Sequence, residues 1–247
     1  MRQALSGTSE GKCARRPAGW RLLARLSGRR KKRFASDSII IGRSGRLSYL
    51  LGRLCGKLPG VLYVRHLLVA VPAEHLPAMP RGYSARPLRP EELAGHRIDA
   101  DAATQAERFA AGMTCLGLFD RHDALLGVTW LGRDMHEETV LRIRFRLPSG
   151  SAWDGGLWID EERRIGRAFP ALWAGVRQWL EAEGLHQTIS SIADYNAASI
   201  ASHRRLGARV IGQVGVIRIG RLQCTLGGRP RARWTCARWP EITLSPA

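Results

Sequence analysis

Arg163-Arg164-Ile165-Gly166-Arg167-Ala168 sets an arginine, a glycine and a small residue at the fixed positions of the pattern Arg/Gln-x-x-Gly-x-Gly/Ala, and a helical pattern starts directly behind it. A diphosphate needs several donors at once. A turn that opens a helix points backbone N–H groups and the positive end of the helix dipole at one spot, so the hexapeptide is a candidate diphosphate site. Gly166 lets the backbone approach closely, small Ala168 keeps a side chain out of the phosphate space, and Arg163, Arg164 and Arg167 add charge-assisted donors. Pro170 is tolerated because amides of the first helical turn lack intrahelical partners. Phe169, Leu172, Trp173, Val176, Trp179 and Leu180 recur at three- and four-residue spacing as one buried stripe, and Gly184 stops the helix. An ordinary amphipathic helix with an arginine-rich start fits the same residues.

Upstream and downstream of this helix the pattern changes to short apolar runs. His186 to Ile192 reads as a strand, and Asn196-Ala197-Ala198-Ser199 opens a further helix that Asn196 caps and Gly207 ends. Strand, helix, strand, helix in this order argues for an α/β unit with parallel strands.

The loop-to-helix motif, followed by Asn196-Ala197-Ala198-Ser199 and Leu206-Gly207-Ala208, resembles the GCN5-related N-acetyltransferase (GNAT) superfamily over roughly Tyr83 to Leu226. The resemblance implies a mixed α/β sheet, a GNAT-like acyl-CoA N-acyltransferase fold with a basic N-terminal extension. It implies acetyl-CoA or another acyl-CoA as co-substrate, no metal, and transfer of the acyl group to a primary amine of a small molecule or peptide by direct attack. In such a fold the strand before the loop splays from the one after the helix, and the pantetheine arm lies between them. That places Leu157, Trp158 and Ile159 along the arm, residues Arg163, Arg164, Ile165, Gly166, Arg167 and Ala168 at the diphosphate, and Asn196 beside the arm.

Direct attack asks for an oxyanion donor, a base for the amine and an acid for the departing sulfur. Backbone amides of Trp158 to Asp160 are candidates for the first and Asp154 for the second, with Glu161 and Glu162 behind it. His203 falls where many members carry a tyrosine that protonates the thiolate; histidine can donate a proton near neutral pH. It also belongs to the basic run His203-Arg204-Arg205, which could simply face solvent or phosphate. Arg167 and Pro170 make the loop bulkier than the commonest form. Two alternatives follow from these departures: a non-catalytic acyl-CoA-binding or regulatory protein of the same fold, or a nucleic-acid- or membrane-binding protein working through its basic arm.

Composition frames this core. The 247 residues carry a formal charge of +18, and residues 1–80 hold 16 Lys and Arg against 3 Asp and Glu, leaving 23 against 18 for the rest. The expected organisation is a basic arm over 1–47, an amphipathic helix and a strand from Leu62 to Val71 within 48–80, a GNAT-like domain over 81–226 and a tail over 227–247. The arm suits an anionic membrane surface, nucleic acid or a targeting role. No apolar run is long enough for a signal core or a membrane span, which points to the cytoplasm, with peripheral membrane attachment open. Cys13, Cys55, Cys115, Cys224 and Cys236 are odd in number and widely spaced, which suggests neither a disulfide framework nor structural zinc.

Smaller patterns fill the remainder. Tyr83 to Leu88 reads as a strand, Pro90 to Leu93 and Asp101 to Ala111 as helices on the acceptor side, and Met113 to Phe119 with Leu125 to Leu131 as a strand pair. Gly155-Gly156 beside Asp154 is compatible with a bulge or close backbone approach, and equally with the turn entering the strand. Leu141 to Leu147 alternates apolar residues with Arg142, Arg144 and Arg146, a half-buried antiparallel strand whose arginines face solvent, an acidic acceptor or a partner. Val210 to Leu226 supplies closing strands, and Trp234 and Trp239 in the tail either stack on bases or cover the sheet.

Overall fold

The structure, a computed structural model, describes residues 43–245 apart from 97, 99, 165, 229, 230 and 237. The arm up to residue 42 and Ile165 therefore lie outside the described residues. Period-two and period-three-to-four patterns become, in order, α1 (Arg43–Cys55), β1 (Val61–Pro72), β2 (Tyr83–Leu88), α2 (Pro90–Leu93), α3 (Ala102–Ala110), β3 (Thr114–Asp120), β4 (Leu125–Arg133), β5 (Met135–Glu138), β6 (Ile143–Arg146) and β7 (Ser151–Ile159). There follow α4 (Ala168–Ala182), β8 (Gln187–Ala193), α5 (Ala197–Arg205), β9 (Arg209–Ile219), β10 (Leu222–Leu226), β11 (Ala232–Cys236) and β12 (Glu241–Thr243).

Nine strands form one sheet in the order β11-β10-β9-β1-β8-β7-β4-β3-β2, and β12-β6-β5 form a second. Within the large sheet β7 and β8 are the parallel neighbours, joined through α4 as the strand–helix–strand pattern predicts. Both faces of its centre are covered. On one side Trp173, Val176 and Leu180 of α4 pack on Leu116, Leu131 and Ala152. On the other, Ile143, Phe145 and Ile242 of the small sheet pack with Trp153, Val214 and Val216. Burial of both faces removes most of the apolar surface from water, the main favourable contribution to folding.

Local chemistry fixes the connections. Asp101 caps α3 by accepting from the Thr104 N–H at 2.9 Å. Asp120 closes the β3–β4 hairpin by accepting from the N–H groups of His122 (2.8 Å) and Ala124 (3.1 Å), and those two backbone donors, Ala124 first, hold its carboxyl below the usual range.

Three expectations change. The strand placed before the domain is β1, which lies inside the sheet, antiparallel to β8 on one edge and to β9 on the other. The segment after 226 contributes β11 at an edge of the large sheet and β12 to the small one, parallel to β6. The arginine face of β6 stitches the small sheet: Arg144 bonds Glu137 at 2.6 Å and Arg146 bonds Glu241 at 2.8 Å. Carboxylates on the flanking strands therefore take two of the three arginines, leaving no continuous cationic face.

Removing β1 would open the facing edges of β8 and β9, and unpaired buried backbone groups are costly. A chain starting at residue 81 is expected to lose its cooperative thermal transition. Calorimetry beside the full chain checks this; a cooperative melt of the shorter chain would make β1 a dispensable addition.

Candidate active site

Three register pairs hold β7 to β8: Ser151 with Gln187, Ala152 with Thr188 and Trp153 with Ile189. Beyond them β7 stays on β4 as far as Ile159 while β8 stays on β1 as far as Ala193, so the strands part into a fork. Val128 pairs with Trp158 and Trp130 with Gly155, so two steps of β4 face three of β7. That is a bulge. Gly156 within it has φ +60, and the Arg108 guanidinium, 5.2 Å over the Trp130 ring, occupies the space a Cβ would need. The positive φ favours glycine there, and a larger residue would also have to displace the flexible end of Arg108.

Past the bulge Leu157 and Ile159 pack toward α4, whereas Trp158 packs with the opposite core. Their backbone edge on the β8 side has no register partner in that strand. One expected oxyanion donor is excluded: the Asp160 N–H donates to the Leu126 carbonyl at 3.0 Å. Gly156 and Leu157, without register partners on β4, are the amides left at this bend.

The loop after β7 is built by Asp160, whose side chain accepts from the Glu162 N–H at 2.9 Å and starts a single 3-10 turn, Glu161–Arg163. Glu161 and Glu162 point outward from that turn. Arg164 is tied back by donating from Nε to the Ile159 carbonyl at 3.1 Å. Arg163, Gly166 and Arg167 are exposed at the head of α4, and nothing lies within 4 Å of where a Gly166 Cβ would stand. Pro170 sits in the first turn, as tolerated there, and leaves the amides of Ala168 and Phe169 as the helix donors without an intrahelical partner. Ala168 differs from its expected use. It is buried against Leu118 and Leu126, so its small side chain seats α4 on the sheet rather than clearing phosphate space.

At the apex of the fork the two sequence-nominated acid–base residues come together. Asp154 and Ser190 directly follow the last parallel pair on their strands, and the Ser190 hydroxyl donates to Asp154 Oδ2 at 2.5 Å. His203 of α5 places Nε2 at 4.0 Å from Asp154 Oδ1 and 3.4 Å from Ser190 Oγ. This is an ion pair with the hydroxyl beside it, not a direct hydrogen bond. Nδ1 of His203 lies 2.9 Å from the Ser199 carbonyl, which orients the ring with Nδ1 as donor, and Trp173 meets it edge-on at 5.5 Å. Asp154 and His203 are 4% and 8% exposed, so His203 is not a solvent-facing member of the basic run. Burial works to lower the His203 pKa, but the Asp154 carboxylate, with the Ser199 carbonyl, outweighs it and raises the value above 6.5. Asn196 caps α5 by accepting from the Ser199 N–H at 3.3 Å, which commits its side-chain oxygen to the helix.

The other face of the fork holds a polar group the sequence did not disclose. His66 of β1 lies 2.6 Å from Ser191 Oγ through Nδ1, and Glu138 of β5 sits 3.8 Å from His136, which stacks on Trp153 at 4.2 Å. Burial lowers the His66 pKa, with Glu138 and Asp194 opposing. The available signal was parity: His66 shares a strand face with Val64 and Leu68, so it had to point into the core. Among the described residues no group of three or more His, Cys, Asp and Glu is arranged to hold a metal. None of the described helices is long and apolar enough to cross a membrane.

Since folding raises the His203 pKa, its stabilisation is complete below 6.5 and is lost as pH climbs through the higher folded value. Thermal unfolding is therefore expected to show the parent's margin over His203→Gln shrinking from mildly acidic to mildly alkaline pH. Asp154→Asn should flatten that dependence. A margin unchanged with pH would show that the imidazole is neutral throughout.

No protein-family model and no curated protein matches the sequence. Solved structures with partial likeness include a GCN5-related N-acetyltransferase from Kribbella flavida (18% identity, 70% of this chain and 63% of that one, TM-score 0.40). A second is a tandem GNAT protein from the clavulanic acid biosynthesis pathway (20%, 63% and 52%, 0.42). A third is a phosphinothricin acetyltransferase from Sinorhizobium meliloti in complex with AcCoA (20%, 51% and 74%, 0.37). The chain spans little more than half the length of the tandem protein. By its strand order, its fork and its loop-to-helix turn, the chain has a mixed α/β fold in which one parallel strand pair is bridged by α4.

Proposed function

We propose that the chain is an acyl-CoA-dependent N-acyltransferase acting on a primary amine. The observation that carries this reading is the fork with Asp154, Ser190 and His203 at its apex, one strand away from an exposed arginine-rich turn at a helix head. Arg163, Arg164 and Arg167, with the Gly166 backbone, Ile165 and the first amides of α4, bind the diphosphate; Leu157, Trp158 and Ile159 receive the pantetheine arm. Acyl-CoA supplies the thioester carbonyl. The amine nitrogen attacks that carbon, and the oxyanion is met by amides at the Gly156–Leu157 bend. Collapse breaks the carbon–sulfur bond, and the thiolate takes a proton from His203 Nε2. Asp154 holds the imidazolium charge that makes His203 an acid near neutral pH. His66, kept neutral by burial on the opposite face, accepts the proton released by the amine.

Thermal-shift titration of the full chain with coenzyme A, acetyl-CoA and a longer acyl-CoA tests the binding half. A ligand at roughly 100 times its dissociation constant adds about 2.7 kcal/mol and raises Tm by a few degrees. Arg163→Ala with Arg167→Ala is expected to reduce that shift without altering the unliganded Tm. No shift with any of the three would sink the proposal. His203→Gln is expected to keep the shift while lowering kcat by on the order of a hundredfold; a parent that binds acyl-CoA yet acylates no amine would be a binding protein of this fold.

A further inference from the structure

The helix α1 carries an apolar stripe that the described residues leave uncovered. Its inner side is settled: Ser48 is buried, Tyr49 meets Tyr195 edge-on at 5.5 Å, and Gly52 backs onto the Tyr63 carbonyl of β1. That turns Leu47, Leu50, Leu54 and, just past the helix end, Leu58 outward, each 56–59% exposed. Spaced by three and four residues, they form one line along the helix. Arg46, Arg53 and Lys57 alternate with them in sequence.

Further exposed apolar side chains stand on the adjoining part of the sheet. The Gly220 N–H donates to the Gly60 carbonyl at 2.8 Å, which brings the turn after α1 against the β9–β10 turn. At that corner Ile219 and Leu222 are register partners, 60% and 45% exposed, and Trp234 on β11 is 69% exposed on the same sheet face, reached through the pairs Ile217–Cys224 and Cys224–Trp234. An apolar surface of this extent on a folded chain marks an interaction site.

Charge selects the partner. The sequence stretches 43–73 and 195–240, whose described residues build this corner, contain no Asp or Glu at all but hold 5 and 9 Lys and Arg respectively. The 42 residues ahead of α1 add 11 Lys and Arg against 2 Asp and Glu. A second copy would bring two such cationic faces together, and a polyphosphate backbone offers leucines nothing to bury in. A surface that is anionic outside and hydrocarbon beneath satisfies both halves. We propose that α1 and the adjoining β9–β10 corner dock on an anionic lipid bilayer, with the leucines inserted at the acyl boundary and the cations among the headgroups.

Co-sedimentation of the full chain with vesicles of phosphatidylcholine and phosphatidylglycerol, roughly two to one, tests this beside vesicles of phosphatidylcholine alone. Binding to the mixed vesicles only, weakened by high salt, is expected. The pair Leu50→Glu and Leu54→Glu, both on the exposed stripe, should cut the partition coefficient about tenfold or more with Tm unchanged; Lys57→Glu should cut it less. Should the leucine variant partition like the parent, or the parent ignore mixed vesicles, the proposal is overturned. Equal loss of vesicle and oligonucleotide binding on adding salt, with no effect of the leucines, would indicate a charge-only surface for nucleic acid. Concentration-dependent dimers broken by Leu54→Glu, without vesicle binding, would assign the stripe to a second copy. None of these readouts depends on acyl-CoA.

Discussion

Everything at the site depends on how briefly β7 and β8 touch. Three parallel pairs end at Trp153 and Ile189, after which each strand is held by a different neighbour. A parallel sheet that continued would spend its backbone groups on itself and leave no slot. The bulge at Gly155–Leu157 bends β7 away, and Gly156 adopts the positive φ of the bend while the Arg108 guanidinium lies against it. Twist and bulge thus leave β7 and β8 without register pairs across the fork.

The same parting explains why a carboxylate, a hydroxyl and an imidazole are buried there. Asp154 and Ser190 are the first side chains past the last pair on the α4 face, where the sheet is no longer continuous enough to demand apolar residues. A buried ion pair is an indifferent stabiliser, since the cost of removing both charges from water offsets much of their attraction. Ser190 and the Ser199 carbonyl supply the added hydrogen bonds that make this one tolerable. On the opposite face His66 experiences burial with weaker opposition, so one fork holds two histidines shifted in opposite directions.

Legibility in the sequence followed range. The arginine-rich turn, α4 with Pro170 in its first turn, the Asn196 cap and the β3–β4 strand pair were readable because each is decided within about two dozen residues by period or capping chemistry. Asp154 and His203 were nominated separately; their meeting required the tertiary fold. The slot of β1 was not legible, because its partners lie more than a hundred residues downstream and pairing at that distance leaves no local mark. Nor were the roles of Ala168 and the β6 arginines, where a local motif admitted two uses and packing against Leu118 or pairing with Glu137 decided between them. The group around His66 is spread over β1, β5, β7 and β8, so no window of the chain contains it.

The position of β1 also sets an order of events during synthesis. His66 pairs with Ala193 and Leu67 with Gln213, so β1 emerges more than a hundred residues ahead of both strands that will flank it. At about 5–20 residues per second that is a wait on the order of ten seconds, with two apolar edges unpaired. Pairings so distant in sequence form slowly. The nascent chain therefore carries its most aggregation-prone strand through most of translation, and Arg65 and His66 at its centre are the polar residues that break the apolar run in the interval.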